Sequence, residues 1–467
     1  MRGRTLRVHS AIRDSYEKSR VSGGSREIFY RAVRYITHSS LHSIVVDVAF
    51  VLLGIAVILF FGFFAEFIFR KFRIPDVLFL IILGFVIGPY VLRYVEPSHL
   101  IGLAPIFTTF ALIILLFDGA FNIGLSAFVK EFGPSVKLTL FNFTISTSIV
   151  ALVMVFAGFS LLASLLTGFI LGGTCSAFVI PILKQLNVKQ RIYSLLTFES
   201  ALTDILSIVF SLTIIELTKL GTFQIQIVIA KIITLFAVAG FLGIIAGAIW
   251  IAIVKKVLKE HNYMITIAYL LLLYVVAEYL GGNGAIAALT FGIIIRNAKQ
   301  IEKLIRKVTH QENTSSSTVT THSEEYFYHQ LSFLLKTFFF VYVGVLIDLS
   351  NHKALILGAI LGIAILFSRR ASILILGKGT DEEQNLINVV FARGLAAAAI
   401  AQLAIQANIT GADFIAKITY IVITTTIILS SISIFVTQRK NNLVSSKTVR
   451  KNGMNENKYL KNSQKTS

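Results

Sequence analysis

The chain has 467 residues, of which 55% are hydrophobic and only 14% charged, and its formal net charge is +19. Because soluble domains carry about 25% charged residues, most of this surface does not face water. The single cysteine, Cys175, excludes a disulfide framework and a Cys-based metal site. The positive charge lies in the tails and in alternate loops, which is typical of membrane proteins. We therefore expect a lipid bilayer as the partner of this surface, and no nucleic acid.

Thirteen segments are apolar enough to be candidate membrane spans, for which a helix needs about 20 residues. In chain order they are 44–67, 75–94, 100–117, 135–158, 161–183, 194–217, 229–254, 263–280, 283–296, 331–349, 354–376, 386–407 and 412–436. The sequence predicts an all-α polytopic membrane protein of about 13 helices. Residues 1–42 form a basic N-terminal extension, 43–437 the transmembrane domain and 438–467 a basic tail. The polar segment 297–329, with the run TSSSTVTTHS, is predicted to be a flexible loop.

The distribution of basic residues predicts the orientation in the membrane. Lys and Arg recur after predicted spans one, three, five, seven, nine and eleven, and again in the tail after the last span. Loops of this kind stay in the cytoplasm, so we expect a cytoplasmic C-terminus. With thirteen spans the N-terminus would lie outside, although residues 1–42 are rich in Arg; long tails obey the rule less strictly than short loops.

Predicted span 194–217, SLLTFESALTDILSIVFSLTIIEL, carries two carboxylates, Glu199 and Asp204. Such a residue costs about 2.5–3.5 kcal/mol at mid-membrane and usually faces a water-filled path for an ion or a proton. Helical spacing places small hydroxyl residues on the face of Asp204; these are Thr197, Ser200, Ser207 and Ser211, with Thr203 flanking them. The alternative is a structural carboxylate neutralised by an Arg, and it weighs more for Glu199 than for Asp204.

The preceding span, 161–183, contains the elements of a broken helix. Gly172 and Gly173 weaken the helix, and Pro181 removes a backbone donor. Between them lie three small polar residues, Thr174, Cys175 and Ser176. Unwound backbone at membrane depth survives only beside a cavity or inside protein, and broken helices build the ion sites of secondary transporters. The sequence predicts a break here, with a proline kink as the alternative.

A third element lies in predicted span 386–407, where Arg393 and Gly394 precede an alanine run. A buried Arg stays charged and needs an acceptor; Glu199 is the natural candidate, with unwound carbonyls as a second. Spans five and twelve hold corresponding positions in two six-helix halves. We therefore expect two inverted repeats whose broken helices cross at the binding site.

Seven segments, in chain order, resemble those of the monovalent cation/proton antiporter superfamily, the sodium/hydrogen exchangers, over about residues 44–436. LLFDGAFNIGL is similar to the family's LFEGGLNLDL-type segment, GGTCSAFVIPILKQL has the spacing of its TDP broken helix, and FESALTDILSIV is similar to its GES-x-x-ND helix. The other four are RIPDVLFLIILGFVIGP, GGNGAIAALTFGIIIRN, FVYVGVLIDL and FARGLAAAAIAQLA.

The resemblance implies site residues and an oligomeric state. The implied cation-binding set is Asp204, Ser200 and Thr174, with Thr203 beside it and Asp118 as a further carboxylate. The resemblance also implies a structural ion pair of Glu199 with Arg393, and a homodimer. The chain departs from the family pattern at two places: Thr203 stands where the family has Asn or Asp, and Cys175 and Ser176 stand where it has Asp-Pro.

These features together lead us to expect a secondary antiporter of the cell membrane that exchanges a monovalent cation for H⁺ and serves pH homeostasis. Na⁺ is the favoured cation, with K⁺ and Li⁺ as alternatives. Desolvation of a buried Asp favours its protonated form, so the cation and the proton would compete for Asp204. A single exchanging carboxylate, with Thr at position 203, predicts electroneutral 1:1 exchange.

Other classes of protein fit the pattern less well. A sodium-coupled organic-anion symporter would need basic residues for its anion, and Arg393 is the one deeply placed candidate. A cation channel would need a ring of carbonyls or charges, and the sequence has no Gly-rich filter loop. An intramembrane hydrolase would need a nucleophile and a base, and no His lies in a confidently predicted span. We expect neither an enzyme nor a cofactor.

Overall fold

Helices and no strands make up the part of the chain that the computed structural model describes, which is residues 52–68, 75–95, 104–121, 125–186, 188–220, 225–256, 263–301, 322–371 and 381–463. The predicted extension 1–42 lies outside these ranges, as do residues 302–321 of the predicted loop. The chain divides after Phe60 into two units, 1–60 and 61–467. The helix packing and the candidate site belong to the second unit.

The main helices, in chain order, are α1 (Leu52–Ile68), α2 (Asp76–Ile87), α3 (Ala104–Ala120), α4 (Leu125–Phe156), α5 (Leu161–Ile170), α6 (Ser176–Gln185), α7 (Gln190–Leu220), α8 (Ile225–Lys256), α9 (Tyr263–Tyr279), α10 (Gly284–Arg296), α11 (His322–Val345), α12 (His352–Arg370), α13 (Asp381–Val389), α14 (Leu395–Gln406) and α15 (Ala412–Ser463). Helix α11 begins inside the predicted loop 297–329. Its first turn carries Glu324 and Glu325, whose negative charges favour a helix N-terminus.

Five helices in the described ranges are long and apolar enough to cross a membrane: α4, α7, α8, α12 and α15. Most of the others are shorter apolar helices. The outer surface carries large apolar side chains such as Phe156 and Tyr279, which are 87% and 90% exposed, whereas Arg393 is fully buried. This inside-out polarity fits a lipid environment, and the chain is an all-α polytopic membrane protein.

The helices of the second unit pack as two bundles. The scaffold bundle consists of α2, α3, α8, α9, α10 and α11, in which α10 packs on α3, α8 and α9, and α11 packs on α2 and α3. The core bundle consists of α4, α5, α6, α7, α12, α13, α14 and α15, in which α7 packs on α4, α5, α6 and α14, and α15 packs on α12 and α14. The bundles meet where α14 contacts α3 and α11, where α15 contacts α2, and where α7 contacts α8.

Glycines permit the close approach of α2 and α11 within the scaffold bundle. A Cβ atom on Gly84 would lie 2.0 Å from the carbonyl oxygen of Val341, and one on Gly344 would lie 2.2 Å from that of Ile81. Small residues at such contacts are typical of membrane helices, whose association depends on close packing. A buried ion pair, with Lys336 Nζ 2.6 Å from Asp76 Oδ2, joins the same two helices.

Candidate cation and proton site

The helix of predicted span five is interrupted at residues 171–175, between the end of α5 and the start of α6 at Ser176. Gly172 and Gly173 lie in this interruption, where neighbouring side chains leave no room for a Cβ atom: it would lie 2.5 Å from Thr147 Oγ1 at Gly172 and 2.6 Å from Ser207 Oγ at Gly173. Pro181 lies inside α6. The break therefore coincides with the glycines, and the proline follows it.

A second interruption, residues 390–394, separates α13 from α14 and crosses the first. The backbone N–H of Cys175 donates to the carbonyl oxygen of Ala392 at 2.9 Å. A Cβ atom on Gly394 would lie 2.3 Å from Cys175 Sγ, so only glycine allows the two segments to come this close. The two unwound segments are joined by this backbone hydrogen bond, and side-chain hydroxyls accept from the N–H groups of Thr174 and Arg393, so the polar backbone is bonded inside the protein, as membrane depth requires.

Asp204 lies on α7 beside this crossing and is 7% exposed. The hydroxyl of Ser176 donates to Asp204 Oδ2 at 2.8 Å. Because α6 begins at Ser176, the positive end of its dipole is next to the carboxylate, which favours negative charge there. In the described part of the chain no Lys or Arg lies within ion-pair distance of Asp204.

Thr203 connects α7 to the break before α6. Its Oγ1 accepts a hydrogen bond from the backbone N–H of Thr174 at 3.0 Å and lies 3.2 Å from Thr174 Oγ1. The Thr203 hydroxyl donates to the carbonyl oxygen of Ser200 at 3.0 Å, and the Ser200 hydroxyl donates to that of Thr197 at 3.0 Å. Thr174, Ser200 and Thr203 thus bond to one another and to backbone beside the break. The hydroxyls of Ser207 and Ser211 are buried without a hydrogen-bond partner in the described part of the chain.

A cavity of about 230 Å³ reaches Asp204. Its walls come from the C-terminal end of α3, from α6 along its length, from the first half and the middle of α11 and from the start of α14. Its polar and charged lining residues are Asp118, Cys175, Ser176, Lys184, Asp204, His329, Ser332 and Lys336. Thr174, Ser200 and Thr203 do not line it, so these three lie behind the surface that an incoming ion would meet.

Asp118 lines the same cavity, on α3, but it has a partner that the sequence did not indicate. His329 Nδ1 lies 2.6 Å from Asp118 Oδ1, which is an ion pair whenever the imidazole is protonated. His329 lies two residues before predicted span 331–349, at the end of the segment that the sequence predicts to be a flexible loop. The histidine lies in the second turn of α11, where the helix faces the C-terminal end of α3.

Glu199, for which the resemblance implies Arg393 as the partner, makes its hydrogen-bonded ion pair with Arg369, and Arg393 interacts with it only at longer range. Glu199 accepts two hydrogen bonds from the guanidinium of Arg369, from Nη1 and, at 2.8 Å, from Nη2. Asn142 Nδ2 donates to the same carboxylate at 2.8 Å, and Arg369 Nε donates to the carbonyl oxygen of Ile387 at 2.7 Å. Arg369 is in the last turn of α12, which packs against α4. The doublet Arg369–Arg370 inside an apolar segment was the available signal.

Arg393 is buried on the other side of the crossing. Its Nη2 donates to Ser146 Oγ at 3.0 Å, and its backbone N–H donates to Thr426 Oγ1 at 3.0 Å. Ser146 Oγ in turn lies 3.2 Å from Ser368 Oγ. Arg393 therefore connects the unwound segment to α4 and α15. It is a structural cation close to the site, but Glu199 is not its acceptor.

Two broken helices that cross beside a buried carboxylate, at the inner end of a cavity, are the architecture of a secondary ion transporter. The chain belongs to the sodium/hydrogen exchanger family: the family model "Sodium/hydrogen exchanger, transmembrane" matches residues 55–440. The resemblance in the sequence motifs is thereby confirmed.

Individual relatives agree with this assignment. The K(+)/H(+) antiporter NhaP2 of Shewanella oneidensis is 28% identical over 196 residues, which are 41% of this chain and 34% of that protein. The Na(+)/H(+) antiporter ApNhaP of Aphanothece halophytica is 30% identical over 230 residues, 48% of this chain and 43% of that protein. The chain thus matches less than half the length of these two relatives.

A solved structure has the same fold. The sodium proton antiporter MjNhaP1 from Methanocaldococcus jannaschii, at pH 8, superposes with a TM-score of 0.69, covering 81% of this chain and 98% of that one at 23% sequence identity.

Proposed function

We propose that the protein is a secondary antiporter that exchanges a monovalent cation for H⁺ across the plasma membrane by competition at Asp204. The observation that carries this proposal is a carboxylate that lines a cavity, lies beside two crossing unwound segments and has no Lys or Arg within ion-pair distance in the described ranges. Family membership and the cation/proton antiport named for both relatives support it over an organic-anion symporter or a channel.

The exchange uses one site alternately. When Asp204 is protonated, the site is neutral and holds no cation. When a cation enters from the cavity, the proton leaves to water and the carboxylate becomes a ligand. In both states Asp204 plus its occupant carries no net charge, so either form crosses without leaving a bare charge in the membrane interior. One carboxylate at the crossing gives a 1:1, electroneutral stoichiometry.

Movement of the two bundles past each other would expose the site to each side in turn. The sparse contacts between the scaffold bundle and the core bundle support such movement. We further infer thirteen crossings in two inverted six-helix repeats joined by a connecting helix, a cytoplasmic C-terminus and a homodimer. With that orientation the cavity opens to the cytoplasm, because the ends of α3 and α6 that line it precede basic loops.

The test is Asp204→Asn, with Asp413→Asn as its matched control on an exposed carboxylate. Both variants, purified and placed in proteoliposomes with a pH-sensitive dye, are challenged with NaCl, KCl and LiCl gradients. Asp204→Asn is expected to lose cation-driven proton movement at least a hundredfold while eluting as a folded protein, and Asp413→Asn to retain it. Undiminished exchange by Asp204→Asn would disprove the assignment.

A further inference from the structure

The oxygen atoms that an ion would meet at Asp204 are few. Of the hydroxyl residues around the crossing, Ser176 both lines the cavity and touches Asp204, at 2.8 Å. The hydroxyls of Thr203 and Ser200 donate to backbone carbonyls, and neither residue lines the cavity. Ser176 is therefore placed to meet an arriving cation together with the carboxylate. It stands where the resembling family motif has proline, which has no hydroxyl.

We propose, resting on the proposed antiport, that Ser176 is the second side-chain ligand of the transported cation and that the site it forms with Asp204 selects K⁺ over Na⁺. Without a cation, the Ser176 hydroxyl donates to Asp204 and satisfies the carboxylate. With a cation bound, the hydroxyl turns its lone pairs to the ion, because a hydroxyl is both donor and acceptor. The carboxylate then gives its lone pair to the cation instead.

The selectivity follows from the low negative charge around this pair. Cys175, neutral as a thiol, lines the cavity next to Ser176, so the crossing contributes no second carboxylate. Asp118, further along the cavity, has His329 at 2.6 Å. Lys184 also lines the cavity and reduces its attraction for cations. Lys336, the other lysine in the lining, is paired with Asp76.

A weakly negative site favours the ion that is easier to dehydrate. Na⁺ has the higher charge density and holds its water more tightly than K⁺, so it needs stronger ligand charge to replace that water. The number and field strength of the ligands decide such selectivity in ion sites. Binding to one carboxylate, one hydroxyl and water molecules therefore offsets a larger share of the dehydration free energy of K⁺ than of that of Na⁺.

The experiment measures half-saturating K⁺ and Na⁺ concentrations for proton exchange by the full-length protein in proteoliposomes. The wild type is expected to require at least threefold less K⁺ than Na⁺. Ser176→Ala is expected to raise the half-saturating K⁺ concentration about tenfold with less than a threefold change in maximal rate, and Ser176→Thr, which retains the hydroxyl, to restore it. Ser164→Ala, a buried serine of α5 outside the cavity, is the matched control and should match the wild type.

Cys175→Asp is the converse test, since a merely structural role for this region predicts no change of ion preference. The added carboxylate should shift the preference toward Na⁺ by at least fivefold. Thermal unfolding in detergent, with and without 100 mM KCl, provides a second readout: Ser176→Ala should unfold like the wild type without K⁺ but lose its stabilisation by K⁺.

The outcomes separate the two proposals. A wild type that exchanges protons but prefers Na⁺, or a Ser176→Ala variant with unchanged half-saturation for both ions, overturns this inference and leaves the antiport intact. A wild type that exchanges protons for none of the cations overturns the proposed function and this inference with it.

Discussion

Arg369 donates two hydrogen bonds to Glu199 in the interior of the core bundle, where the two side chains are 3% and 1% exposed. This pair joins α12 to α7, and Arg369 also holds the carbonyl oxygen of Ile387 at the end of α13. Through Arg369, the helix that carries Asp204 is thus connected to α12 and to α13, the helix that precedes the second unwound segment.

Removing one partner of this pair should destabilise the fold rather than only the site. Glu199→Gln leaves the Arg369 charge buried without its counter-ion, and breaking a buried pair in this way costs about 3–5 kcal/mol. We expect a lower midpoint of thermal unfolding in detergent and reduced yield. Combining Glu199→Gln with Arg369→Gln should recover part of the loss; a double variant as unstable as the sum of its single variants would contradict the pairing.

Lys417 and Asp348 form an ion pair between the bundles at the opposite end of α11 from the cavity. Lys417 Nζ, on α15, lies 3.1 Å from Asp348 Oδ2, just after α11, and the hydroxyl of Tyr90 donates to Asp348 Oδ1 at 2.6 Å. Lys417→Ala should weaken the contact between the two bundles at this end of α11. We expect it to increase the population of the transporter state in which the bundles separate here. Such a partly exposed pair is worth about 0.2–1 kcal/mol, so the populations should shift by up to about fivefold.

The single thiol of the chain reports this shift. Cys175 lines the cavity, so a small thiol reagent added from the cavity side should label it more slowly in Lys417→Ala than in the wild type. The matched control is Asp413→Ala, which removes the partner of Lys417 within α15 but leaves the pair between the bundles. Equal labelling rates in Lys417→Ala and the wild type would show that the pair does not hold this end closed.

Gly84→Ala tests the contact between α2 and α11. Its new Cβ would approach a backbone oxygen to 2.0 Å, and backbone yields less readily than a side chain, so we expect destabilisation of about 1–3 kcal/mol. The control is Gly240→Ala on α8, where no atom lies within 4 Å of the added Cβ. That change should be neutral or stabilise by up to about 1 kcal/mol, as thermal unfolding would measure; equal effects of the two substitutions would contradict the close packing of α2 on α11.

Patterns along the chain are sufficient to predict an all-α membrane protein and the buried helix that carries Asp204, because hydropathy and the cost of burying a carboxylate are local properties. Which side chains form an ion pair, in contrast, depends on residues that are far apart in the sequence. Glu199 pairs with Arg369 because α12 packs close to α4 and α7, and sequence spacing does not encode that arrangement.

The same distinction explains the hydroxyl residues of the site. Helical spacing placed Ser200 correctly on a buried polar face, but which hydroxyl reaches the cavity depends on where α3 and α11 close around the crossing. The sequence identifies Ser176 only as part of the break, because its contact with Asp204 depends on the three-dimensional path of the unwound segment. The sequence predicts a loop at His329, because most residues before it are polar and the first turns of α11 carry no long apolar run.

The hydrogen bond from the Cys175 amide to the Ala392 carbonyl has a consequence for how such a protein can change. This contact joins main chain to main chain, so it is retained when the side chain at position 175 changes to another that fits against Gly394. Small acidic, thiol or hydroxyl groups can therefore replace one another at this position with the main-chain contact in place. A change of ion preference in such a protein would then require only one or two substitutions beside a backbone contact that persists.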